Sequence, residues 1–85
     1  MKKAVLVFRS KTEVFRLLDE LSLYGVRART TGTPKEAKIG CGIAVETEVG
    51  QLPLAKRLVQ SGDYGGYYGA FSVEKTGGRT ITTRI

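Results

Sequence analysis

The chain contains no histidine and no tryptophan, and it has a single cysteine, Cys41. Without histidine there is no Cys–His or Ser–His pair and no imidazole ligand for a metal. The commonest general base near neutral pH is also missing, which argues against a self-contained hydrolase. One cysteine cannot close an intramolecular disulfide, so the disulfide-stapled secreted class is excluded, and a lone thiol cannot build a structural metal site. No run of ~18 apolar residues is present, so no helix is expected to span a membrane. The opening "MKKAVLVFRS" has a basic start, but its apolar run is too brief for a signal sequence and no small-residue cleavage site follows. A cytoplasmic location is the expectation.

Acidic residues are scarce too. Eight Asp and Glu against fourteen Lys and Arg leave a net charge of +6. Such a charge raises encounter rates with any polyanion. The basic residues are spread from Lys2 to Arg84 without a dense cluster, so charge alone leaves the partner open. The 85 residues are 41% hydrophobic and 26% charged, the balance of an ordinary globular chain, and they suffice for one domain, residues 1–85. A chain of this size buries only roughly 60–65% of its unfolded surface, so most apolar residues must serve the core.

Along the chain, Ala4 to Phe8 is a continuous apolar run rich in β-branched residues. It reads as a central strand covered on both faces. Ser10-Lys11-Thr12-Glu13 matches a capping box for the helix that follows, with Val14, Leu17, Leu18, Leu21 and Tyr24 at helical spacing and Gly25 at its end. Residues 26–30 alternate as a half-exposed strand, 31–40 read as loop, and 42–48 as the next strand. Residues 50–60 form a second helix with Pro53 in its first turn and Gly62 as its stop. Residues 67–74 are a fourth strand, and "TGG" (76–78) turns into a short C-terminal strand over 79–85. The order β-α-β-β-α-β plus a tail predicts an α+β, ferredoxin-like sandwich with an extra C-terminal strand. That plan hosts many unrelated activities, so function must come from a site.

The candidate site is Cys41, flanked by Gly40 and Gly42 at the mouth of the third strand. Two readings compete. In one, the glycines expose the thiol, and Lys35 and Lys38 tune its pKa so that thiolate, the nucleophilic form, is available. In the other, Cys41 is a small core residue, as free cysteines commonly are. Composition alone favours the second.

"TPKEAKIGCGIAV" (33–45) resembles the signature of a family of small selenium/sulfur carrier-like proteins, with Pro34, Lys35, Glu36, Cys41, Gly42, Ile43 and Ala44 at matching positions. The resemblance covers most of the chain but not the tail from about Gly65. It departs at Lys38-Ile39-Gly40, where relatives tend to carry serines. It implies that Cys41 accepts sulfur or selenium as a persulfide or perselenide from a protein donor such as a cysteine desulfurase, and hands it to an acceptor. Such a protein is a carrier rather than an enzyme and needs no cofactor or metal. The alternative is an RNA- or anion-binding module with a structural cysteine, using Arg27, Arg29, Lys35 and Lys38 with aromatics from Tyr67, Tyr68 and Phe71. The edge strands of a small sheet also make a homodimer an expectation.

Overall fold

The computed structural model describes residues 2–38 and 41–85. Its elements are β1 (Lys2–Phe8), α1 (Lys11–Leu23), β2 (Ala28–Gly32), β3 (Ile43–Glu48), α2 (Leu52–Ser61), β4 (Tyr67–Thr76) and β5 (Arg79–Arg84), with 3-10 turns at Lys35–Ala37 and Val49–Gln51. The five strands form one antiparallel sheet in the order β2-β3-β1-β4-β5. This is the expected ferredoxin-like α+β plan, extended at one edge by β5.

The apolar run of β1 accounts for its central place. Ala4, Leu6 and Phe8 point into the main core with Val14, Leu17 and Leu21 of α1 and Ala55, Leu58 and Val59 of α2. Val5 and Val7 point to the opposite, helix-free face, yet they too are buried, together with Ala37, Ala44 and Phe71. A strand apolar on both sides needs cover on both, and the second cover comes from the 35–37 turn and from β4.

The element boundaries differ in places from the sequence expectation. β2 starts at Ala28 and runs into Thr31 and Gly32, because Ala28↔Thr47 through Gly32↔Ile43 fixes its register on β3. The second helix begins at Leu52 after a tighter 3-10 turn, with Pro53 still in its first turn. Tyr24, placed on the apolar stripe by spacing, is the C-cap and is 60% exposed. Gly25 takes φ 75°, and the amides of Val26 and Gly25 donate back to the carbonyls of Leu21 (2.9 Å) and Ser22 (3.0 Å). That double bond is the Schellman closure that glycine at C′ permits.

The capping box does not form. Ser10 is the N-cap of α1, but its side chain makes no cap hydrogen bond. Glu13 instead turns outward, and the Gly66 amide donates to both its carboxylate oxygens at 2.9 and 3.2 Å. One turn on, Arg16 donates to the Gly62 and Asp63 carbonyls and lies 4.2 Å from the Tyr64 ring centroid, while the Tyr64 hydroxyl donates to Glu20. One edge of α1 thus grips the whole α2–β4 connection. The grip also explains Gly62: a Cβ there would come within 2.7 Å of the Leu58 carbonyl and 2.8 Å of Tyr64, and the left-handed turn falls one residue later, at Asp63.

Two measurements test this clamp. Urea denaturation is expected to show Glu13→Ala costing about 1.5–3 kcal/mol, the range of a hydrogen bond to a charged group. Ser10→Ala should cost no more than about 0.5 kcal/mol, below the ~1 kcal/mol of a working N-cap. The second concerns pH. Burial, reinforced by the hydrogen bond to Glu20, holds the Tyr64 hydroxyl protonated well above its ordinary value. The unfolded chain releases that proton near pH 10.0 while the folded one keeps it. The associated stability is therefore full below that pH and falls as pH rises through it. Tyr64→Phe should flatten the alkaline fall seen in wild type and lower stability at neutral pH by about 1 kcal/mol.

Candidate functional site

The thiol lies where the β2–β3 ladder ends. Beyond the Gly32↔Ile43 pair, the Thr33 amide donates to the Gly42 carbonyl at 3.3 Å, so Cys41 is the first residue past the paired strands. Gly42 has φ 92°, a left-handed conformation that a side chain would strain, and open space surrounds the position a Cβ would take. Glycine is therefore required here by the backbone. Cys41 itself is half-buried. Its side chain packs at the rim of the helix-side core, near Ile43, and its S–H donates to the Ile43 carbonyl at a sulfur–oxygen distance of 3.4 Å. Gly40 lies outside the described residues.

The two lysines sit elsewhere in the loop. Lys35 opens the 35–37 turn, whose Ala37 is 1% exposed among Val5, Val7, Ala44 and Phe71 on the helix-free face. Lys38 follows in a left-handed conformation, φ 61°. Ala37 thus packs on the helix-free face, and Cys41 packs on the helix side of the sheet. Among the described residues, no hydrogen bond or ion pair joins Lys35 or Lys38 to Cys41.

Sequence reading missed Ala37 as a core residue, because a single small side chain in a loop has no period to betray it. It also missed Thr33, whose Oγ1 is buried without a hydrogen-bond partner. A threonine just before a proline carries no signal of such a state. Of the other residues singled out, Arg29 pairs with Glu46 at 2.7 Å, and the Arg27 carbonyl accepts the Thr47 hydroxyl at 3.0 Å. Tyr67 packs on the helix side, and Phe71 is buried on the other. Tyr68 is covered by the Arg84 guanidinium, 4.6 Å from its ring centroid. Gly69 makes this possible, since a Cβ there would stand 2.9 Å from the Arg84 guanidinium. No cluster of three or more metal-ligating side chains exists among the described residues, and no helix there is long and apolar enough to cross a membrane.

Residues 3–66 match the family described as "Putative Se/S carrier protein-like". The chain belongs to that family. The matched span runs from β1 through the Cys41 loop and α2 to Gly66, the residue held by Glu13, and leaves out the β4–β5 hairpin. None of the curated proteins and none of the solved structures compared with the chain matches it.

The unpaired hydroxyl of Thr33 gives a direct check on the loop. Replacing a buried, unsatisfied hydroxyl with a methyl of similar shape removes a desolvation cost without opening a cavity. Thr33→Val should therefore leave the urea midpoint unchanged or raise stability by up to about 1 kcal/mol. A loss of more than about 1 kcal/mol would mean that the hydroxyl holds a partner.

Proposed function

We propose that Cys41 carries a chalcogen, sulfur or selenium, as a persulfide or perselenide between a donor protein and an acceptor. The observation that supports this most is the family match spanning the Cys41 loop. The half-buried thiol at a ladder end, beside a glycine with open space around it, is compatible with one added atom.

In the loading step, the Cys41 thiolate attacks the outer sulfur of a donor persulfide. The bond from Cys41 Sγ to that sulfur forms, the donor's S–S bond breaks, and the donor leaves as a thiolate. No net oxidation occurs. Delivery repeats the exchange on an acceptor nucleophile. Because the chain has one cysteine, no internal disulfide can expel the cargo, and the acceptor or an external thiol must resolve it. This makes the protein a carrier rather than a self-contained enzyme. A cysteine desulfurase is a suitable donor class, and the cytoplasm, where such thiols stay reduced, is the compartment that suits it. Lys35 and Lys38 would act on the thiol only through the field of the loop, or after the loop moves. RNA binding has less support, since the rings needed for stacking are buried or covered by Arg84.

Intact mass spectrometry after incubation with a cysteine desulfurase and cysteine tests the reading. Wild type should gain the mass of one sulfur atom, reversed by dithiothreitol, and Cys41→Ala should gain none. A folded protein that resists both sulfuration and alkylation at Cys41 would refute it.

A further inference from the structure

Pro34, Lys35 and Glu36 of the signature reach the helix-free face of the sheet. Two depressions of about 410 and 390 Å³ lie on that face. Glu46, Val73 and Lys75 line both, so they form one continuous groove. One end is walled by Lys3, Arg27, Arg29 and Glu48, and the other by Thr31, Pro34, Lys35 and Glu36, with Thr80 and Thr82 of β5 along the side.

Its charge is mixed but positive, with five cationic side chains, Lys3, Arg27, Arg29, Lys35 and Lys75, against the carboxylates Glu36, Glu46 and Glu48. Lys3 is engaged locally with Glu48, and Arg29 with Glu46. Arg27 and Lys35 are exposed and make no ion pair among the described residues. We infer that this groove docks an extended acidic segment of a partner protein. Acidic side chains would meet Arg27 at one end and Lys35 at the other, intervening aliphatic ones would lie on Val73, and the threonine hydroxyls would offer hydrogen bonds to peptide groups.

A nucleic acid fits the same surface less well. Glu46 and Glu48 interrupt any continuous phosphate track, and Phe71, the aromatic ring central to this face, is only 3% exposed and offers nothing for a base to stack on. The inference does not depend on the chemistry of Cys41, which packs on the other side of the sheet. If the carrier reading is right, the groove supplies a docking surface separate from the reacting sulfur.

Fluorescence anisotropy with a labelled, end-capped peptide of alternating glutamate and valine tests it, with a single-stranded RNA of equal charge as comparator. Saturable peptide binding is expected, weakened about tenfold by Arg27→Glu with Lys35→Glu, the size of two exposed charge pairs lost. Arg57→Glu, on the exposed side of α2, should change it by less than about twofold. The single variants Arg27→Gln and Lys35→Gln should give intermediate losses, and they cover the case in which the double variant does not fold. Absence of saturable peptide binding would overturn the inference. So would equal weakening by Arg57→Glu, or RNA binding at least as tight and sensitive to the same groove substitutions. Neither result bears on sulfuration of Cys41, so this inference and the carrier reading can fail separately.

Discussion

The whole arrangement depends on β1 being apolar on both faces. A strand that presented alternating residues could rest its inner face on the two helices and leave the other to water. Here Val5 and Val7 oblige the fold to cover the helix-free side of a small sheet. The cover is economical: Ala37 from the loop, Ala44 from β3 and Phe71 from β4, with Arg84 laid over the neighbouring Tyr68. The 35–37 turn is recruited for this purpose, with Ala37 buried beneath it. Ala37 and Ala44 thus share the helix-free face, while Cys41 and Ile43 pack against the helix-side core.

That separation also sets what was legible in the sequence. The uninterrupted run from Ala4 to Phe8 pointed correctly to an interior strand with both faces covered. That is a one-dimensional pattern. What covered the second face was not legible, because Ala37 is a lone small residue in a segment without periodicity. Ser10 and Glu13 show the other kind of failure. Their spacing fits a capping box, but Glu13 finds a better-placed amide at Gly66, far along the chain and invisible to any local motif.

For the site, Cys41 and Gly42 were identifiable by their neighbours, and the left-handed backbone at Gly42 gives the glycine a physical reason. The supposed proximity of Lys35 to the thiol rested on sequence distance. Lys35 opens the turn whose Ala37 packs on the helix-free face, while Cys41 packs on the helix side. Conversely, Glu13, Arg16 and Glu20 of α1 are the groups that fix the path into β4.

The sheet order has a consequence for how this chain reaches its native state. β1 is made well before β4, one of its two neighbours, with Lys2 opposite Glu74. The central strand therefore cannot be flanked on both sides until β4 has emerged from the ribosome. Until then the edge of β1 carries a bare run of aliphatic residues with unpaired amides and carbonyls, the combination most open to wrong pairing. The matched family span ends at Gly66, just short of the strand that closes this edge. The limit of sequence similarity is therefore not a limit of folding, and residues 67–76 belong to the cooperative unit even though they lie outside the match.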